Sequence, residues 1–504
     1  MTAATNPLIK AYLENGSVPM LPDCHFIDGR LMPSLSSDRM EISDPGTGRV
    51  FMSVAAAGAL DVDVAVASAL RGFRIWRDTA PVERGRVLAR MATLMLRDIE
   101  RLAFAESITV GKTYIESCNN VRSAARTFEY YAGAPDKLQG DSIPLGPTQI
   151  GWTMLEPLGV VAQIIPWNYP ITTFARGIAP ALAAGCAVIA KPAETTPLTA
   201  VMLAQLLHEA GLPPGACNVL LGLGTVAGAG LSAHLDVAHI TFTGSPKVGT
   251  EVMTAAAHHY ASVTLELGGK SPLIALADCD IEAAADGAVA AIYENAGQIC
   301  SAGSRLVVDK QIHRALVNAI AQRAARITVG HGLRGNMMGA INSSRQLERI
   351  LGFLDQAKAK GSKIEFGGAR HVDTLDPEGW FVQPTLLDDL TIDHPCVQEE
   401  IFGPVLSVQV VDGVDEALHA ANSTRYGLMA GIYSKNIESA FAIARDIKSG
   451  QVTINNYWGG GVEVPFGGVE QSGFGREKGF AAVSSYCRTK SLVAKIPYSP
   501  NTQV

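Results

Sequence analysis

The chain contains no CxxC pair and no Cys/His cluster with zinc-ligand spacing, so no metal site is expected. Its eight cysteines, at 24, 118, 186, 217, 279, 300, 396 and 487, are too scattered to form a disulfide scaffold in 504 residues. Free thiols in a reducing cytosol are the simplest reading, and a cytoplasmic location is the expectation. No basic stripe stands out, and 41 basic residues against 48 acidic ones leave a formal charge of −7. Nucleic acid is therefore not an expected partner. No uninterrupted apolar stretch reaches the roughly 20 residues of a membrane span. The richest run, Ile178 to Ile189, contains Pro180 and Gly185 and is flanked by Arg176 and Lys191. No membrane partner is expected. The opening MTAATNPLIKAYLENGS has no basic region followed by an apolar run, so it does not read as a secretory leader. Internal repeats and long low-complexity linkers are also missing. What remains, 47% hydrophobic and 18% charged residues, is an ordinary globular composition with length for two to four domains.

Residues 60–135 carry apolar positions at spacings of three and four, which predicts helices. From about 158 the pattern alternates. LGVVAQIIPW reads as strand, FARGIAPALAAG as helix, CAVIAKP as strand, and TPLTAVMLAQLLHEAG as helix. CNVLLGLG and HITFTGS read as further strands. Such alternation predicts a parallel sheet with crossover helices, the setting in which nucleotides bind at the carboxyl ends of strands. A second alternating region runs from VTLELGGKSPLIAL to about 470. The segment 136–152, polar and turn-rich with β character, fits neither region. A cleft between two packed domains is expected.

Four side chains invite chemistry. Cys300 in ENAGQICSAGSR sits among small neighbours (Gly297, Ser301, Ala302, Gly303), and a thiolate attacks carbonyl carbon well. Taken alone, the segment fits a buried thiol better. Glu266 ends an apolar strand run before Gly268 and Gly269; desolvated, it would suit general-base work, although a surface salt bridge is the plainer account. Asn168 in PWNYP has an amide able to donate to an oxyanion, or to make only its turn. Two glycine turns after strands, Gly222 to Ala227 with Gly224 at its centre, and Gly244 to Gly249 with Ser245, compete for cofactor phosphates. Spacing does not choose between them. The second lacks the Lys-Ser/Thr ending of a nucleotide-hydrolysing loop. Lys191 and Glu194 in IAKPAE follow a strand, where a carboxylate accepts from ribose hydroxyls and repels a 2′-phosphate, favouring NAD over NADP.

Together, PWNYP (166–170), KPAE (191–194), FTGS (242–245), LELGGKSP (265–272), GQIC (297–300), EEIFGPV (399–405) and PFGGVEQSGFGRE (465–477) resemble the aldehyde dehydrogenase superfamily, in its order and approximate spacing. The resemblance covers nearly the whole chain from HFIDG (25–29) onward. It implies an α/β fold with a Rossmann-like NAD domain (1–132 and 153–265), an α/β catalytic domain (266–470), and a small β oligomerisation element (133–152 and 485–497). A homo-oligomer, dimer or tetramer, follows from that element. The resemblance also implies roles. Cys300 attacks the aldehyde. Asn168 and the Cys300 backbone N–H hold the oxyanion, hydride passes to NAD, and Glu266 activates water to hydrolyse the thioester. Glu400 and Phe402 position the nicotinamide. Ile164, Trp167, Lys191, Glu194, Ser245 and Leu267 line the rest of the cofactor site, with Gly224 flanking its adenosine end. Many family members carry a Lys at the position of Gly177, paired with the Glu matching Glu477; here the Lys is absent and Glu477 remains.

For the substrate, the resemblance places Tyr169, Arg176, Trp458 and Phe466 along the aldehyde tunnel. At the position of Arg176, succinate-semialdehyde dehydrogenases use Arg for a substrate carboxylate, and a guanidinium suits that task; pairing with a protein carboxylate is the alternative. Trp458, followed by glycines 459–461, reads as a platform for an aromatic substrate or as packing for its own loop. Carboxylate-bearing semialdehydes and aromatic or bulky aldehydes both remain open. A CoA-acylating relative is disfavoured by the presence of Glu266. A non-catalytic scaffold is disfavoured by the intact set of Cys300, Glu266, Asn168 and Glu400. A cysteine hydrolase finds no His/Asn partner at a telling spacing.

Overall fold

The computed structural model describes residues 6–18 and 21–496. The predicted helical region forms four helices, Ala59–Arg77, Pro81–Arg97, Ile99–Val110 and Tyr114–Ala132. Thr113 caps the last of these reciprocally with Glu116, satisfying amide donors at the helix start. Beyond them, five short strands rich in Val, Ile and Thr lie parallel: β1 (Val160–Ile164), β2 (Ala187–Lys191), β3 (Cys217–Val219), β4 (Val237–Thr243) and β5 (Ser262–Glu266). Their order across the sheet is β3-β2-β1-β4-β5. The chain reverses its winding between β1 and β4, so a crevice opens there at the carboxyl ends, the usual place for a nucleotide in such sheets. Pro170 opens helix α1 (Pro170–Ala184) after β1, and Pro246 opens helix α2 (Pro246–Ala257) after β4. Proline suits a first helical turn, where its missing N–H has no acceptor to lose.

A second sheet gathers β6 (Pro272–Ala275), β7 (Arg305–Asp309), β8 (Thr385–Asp388), β9 (Val405–Val411), β10 (Met429–Tyr433) and β11 (Gln451–Ile454), all parallel, in the order β8-β9-β7-β6-β10-β11. Helix α3 (Ile281–Tyr293) leads from it into the Cys300 loop. The chain returns to the first sheet late. Gly473 and Phe474 pair antiparallel with Glu266 and Leu265, closing the edge beside β5. Strands Ser142–Pro144, Gln149–Pro157 and Cys487–Lys495 form a separate antiparallel sheet, whose middle strand spans the 152/153 boundary expected from sequence. Pro497, the last residue assigned to that element, lies outside the described residues. The largest apolar clusters gather around Phe104, Phe128 and Phe174, beside the first sheet, and around Leu306, Leu386 and Leu406, beside the second. No described helix is long and apolar enough to cross a membrane.

Candidate active site

Cys300 lies in the turn after α3 and is partly exposed. Its loop approaches through Asn295, Ala296 and Gly297, which stand one after another at φ of 47°, 52° and 72°. Left-handed backbone at two non-glycine residues is strained and persists only where surroundings hold it. The restraints are specific. Asn295 N donates to Glu116 Oε1 at 2.8 Å, Gln298 Nε2 donates to the carbonyls of Asn295 and Ala340, and Asn342 N donates to Gln298 Oε1 at 2.9 Å. A side chain at Gly297 would meet Gly403 O at 2.2 Å, so only glycine fits. Asn168, buried at the turn between β1 and α1, donates from Nδ2 to Gln298 O at 2.8 Å. Asn295 Nδ2 donates to Asn168 O at 3.2 Å. The amide at 168 is thus strapped to the loop that carries the thiol. Glu116, Asn295, Gln298 and Asn342 escaped the sequence reading. Asn295 and Gln298 stand inside the motif segment, but Glu116 is 179 positions from its partner.

Glu266 ends β5 fully buried, and neither carboxylate oxygen has a hydrogen-bond partner. A Cβ at Gly467 would lie 2.7 Å from Glu266 Oε1, so that glycine makes room for the carboxylate. Burial raises the Glu266 carboxyl well above the usual range, the charge of Glu477 adds to this, and Arg176, Arg476 and Lys478 oppose it. Burial likewise pushes the Cys300 thiol up to about 11, with Arg176 pulling it down and Glu266 pushing it further up. The resting thiol is therefore protonated. A carboxyl with an elevated pKa, without protein partners, is chemically suited to exchanging protons near neutral pH.

Arg176 is engaged. Its Nε donates to Glu477 Oε2 at 2.6 Å, its Nη2 makes a second bond to the same oxygen, and its guanidinium lies 4.9 Å from the centre of the Phe466 ring. Of the two readings of this residue, the pairing with a protein carboxylate is what the fold contains. Phe466 and Glu477 face each other across a backbone pair, N–H to carbonyl in both directions. The place where a residue-177 side chain would lie is filled by the amide of Gln163, 2.1 Å from the Cβ position of Gly177. Trp458 donates from its indole to Ala290 O at 3.3 Å and packs edge-on against Tyr457, so its ring is tied to α3. Tyr169 stacks under the Lys112 ammonium, 3.9 Å away.

The expected cofactor residues collect along the carboxyl ends of the first sheet. Ile164 and Lys191 end β1 and β2, and Ser245 follows β4 and caps α2 by accepting from Val248 N at 3.4 Å. Leu267 follows β5 and packs on Gly249. Lys191 Nζ donates to Glu194 Oε2 at 3.4 Å; burial lowers the lysine's pKa and Glu194 opposes that. Trp167 meets Phe402 edge-on at 5.2 Å, and Phe402 itself sits at φ 60°. Glu400 accepts from Gly269 N at 2.9 Å and lies so close to Gly268 that a Cβ there would be 2.4 Å from Oε2; burial raises its carboxyl to about 7. Gly224 has open space around it. An amide-rich helix start beside a switch-point crevice, rimmed by a carboxylate at 194, fits a dinucleotide.

The family model described as "Aldehyde dehydrogenase family" matches residues 32–492. An aldehyde dehydrogenase from Emericella nidulans is 40% identical over 470 residues, covering 93% of this chain and 94% of the relative. The 4-trimethylaminobutyraldehyde dehydrogenase A of Danio rerio is also 40% identical, covering 93% and 92%. The indole-3-acetaldehyde dehydrogenase of P. syringae, solved with NAD+ and IAA, superposes with a TM-score of 0.95 at 35% identity, covering 98% of this chain and 100% of that one.

Proposed function

Because the chain belongs to the aldehyde dehydrogenase family, and is an aldehyde dehydrogenase oxidoreductase, we propose that it oxidises an aldehyde to the carboxylic acid with NAD, through a covalent intermediate on Cys300. The observation that carries this is the pairing of a partly exposed thiol with a buried, unpartnered carboxylate, Cys300 and Glu266, in one electrostatic neighbourhood. As Glu266 takes the proton of the Cys300 thiol, the sulfur bonds to the carbonyl carbon and the C=O π pair moves to oxygen, giving an oxyanion that Asn168 Nδ2 and the Cys300 N–H stabilise; Glu266 then passes that proton to solvent. Bound NAD would accept the hydride, leaving a thioester on Cys300. Glu266 then takes a proton from water as it attacks the thioester carbon, the C–S bond breaks with its pair on sulfur, and the proton returns from Glu266 to the leaving thiolate. Glu477, paired with Arg176, tunes Glu266. Replacing Cys300 by Ala is expected to abolish aldehyde-dependent NADH formation; substantial turnover by that variant would sink the mechanism.

The first sheet with its helices serves as the NAD-binding domain (1–132 and 153–265), and 266–470 as the catalytic one. Ile164, Trp167, Lys191, Glu194, Gly224, Ser245, Leu267, Glu400 and Phe402 hold the cofactor. The Glu194 carboxylate favours NAD over NADP by repelling a 2′-phosphate. The complex of the P. syringae relative with NAD+ supports the choice of cofactor. Tyr169, Arg176, Trp458 and Phe466 line the aldehyde passage. The antiparallel sheet exposes Ile150, Trp152, Met154 and Val493, which supports a homo-oligomer built on that element.

A further inference from the structure

Lys478 has no part in the reaction just described, yet it stands next to Glu477 at the Phe466 ring. Its ammonium lies 5.3 Å from the centre of that ring and, among the described residues, makes no hydrogen bond and no ion pair. The neighbouring cations are all occupied. Arg176, on the same ring, is bound to Glu477. Arg476 Nη1 donates to the carbonyls of Gly468 and Gly475. Arg126 is bound to Glu129 and Glu463. Of the nearby acids, Glu477 is bound through Oε2 to Arg176, Glu463, which feels the Lys478 charge, is bound to Arg126, and burial favours the neutral form of Glu266 and of the Cys300 thiol.

A partly buried ammonium with no bonded counter-ion keeps N–H donors to offer a partner. Burial lowers the Lys478 ammonium to about 8, and Arg176 lowers it further, while Glu477, Cys300 and Glu266 oppose. The Phe466 face holds it by a cation–π contact, which leaves its N–H donors open.

We propose that Lys478 is the anion receptor of the aldehyde passage, and that the substrate is an aldehyde bearing a carboxylate or similar anionic group at its far end. The inference rests on the aldehyde dehydrogenase reading of the site. Arg176 is in this account a positioning residue that holds Glu477, not the substrate's counter-ion. Two cations at Phe466 also disfavour aldehydes that end in a quaternary ammonium.

The test uses the full-length enzyme and three aldehydes of equal length, ending in a carboxylate, a methyl or a trimethylammonium group, with NADH release as readout. The wild type is expected to prefer the carboxylate. In Lys478→Met the carboxylate-to-methyl ratio of kcat/KM should fall by about 10- to 100-fold, mostly through KM, as for loss of a charged hydrogen bond. Lys478→Arg should keep most of the preference, and Lys478→Glu should turn it toward the trimethylammonium aldehyde. Turnover of the methyl aldehyde reports that each variant is folded. An unchanged ratio in Lys478→Met, or an equal loss on all three substrates, overturns the assignment. Wild-type turnover of all three without charge preference defeats the Lys478 proposal alone. No NADH from any aldehyde defeats the underlying functional reading.

Discussion

On the Asn168 side of Cys300, polar groups are bonded within the protein: Asn168 to Gln298, Asn295 to Glu116 and to Asn168, Gln298 to Ala340 and Asn342. Asn295 Oδ1 is the exception. On the Glu266 side, buried side-chain atoms without a protein partner include both of Gln163, both of Glu266, Thr243 Oγ1 and Glu477 Oε1. Buried polar atoms without protein partners are usually satisfied by ordered water or ligand. The first side is a rigid cradle whose geometry is set before substrate arrives. The second has donors and acceptors left over, as the proposed hydrolytic step would require for its water. In the proposed reaction, rigidity where the oxyanion would form and spare hydrogen-bonding capacity where water would be activated are different demands.

If this contrast holds, variants of the two sides should fail in different ways. The largest effect is expected from Glu266→Gln. Steady turnover should fall by about 10²–10⁴-fold while a first burst of NADH survives, and unfolding stability should move by less than about 1 kcal/mol. A variant that kept its steady rate, or lost mainly stability, would break the comparison. Gly297→Ala attacks the paired side. It puts a methyl against Gly403 O in left-handed backbone and should lower stability by about 2–4 kcal/mol in denaturant unfolding, with loss of activity following. A stable and active protein would show that the cradle needs less rigidity than argued.

The smallest effect sharpens the picture of the open side. The Arg176 charge pulls the Glu266 carboxyl down, so Arg176→Met should let it rise further. Because turnover needs Glu266 ionised, the acid limb of kcat against pH should move to higher pH, with the alkaline plateau retained. Arg176→Lys should restore part of the shift. A uniform loss at every pH would make Arg176 a structural residue only.

Much of the fold was legible as pattern. Alternating β-rich and amphipathic segments predicted the parallel sheets, and the four early helices follow their apolar spacing. The strand order β3-β2-β1-β4-β5 was not, because no local signal says which strands become neighbours. Cys300, Glu266 and Asn168 could be singled out from their motifs, while each read alone had a plainer explanation. Arg176 shows where local reading stops. Its residue type suits a substrate carboxylate, but its partner, Glu477, lies 301 positions away. Gly177 stood out only as a missing Lys; the fold fills its place with the Gln163 amide, which carried no motif of its own.

The amino-acid sequence by itself determined which elements form, that a thiol, a carboxylate and an amide stand in the order of one enzyme family, and that Gly297 and Gly467 are small. Only the tertiary structure decided which charges are cancelled. Arg176 and Glu477 neutralise each other, Glu266 is left desolvated with neither oxygen bonded, and Lys478 is left over. The reason is physical. A side chain's identity is local, but its charge state and its free valences depend on burial and on partners that long-range packing brings within a few ångströms.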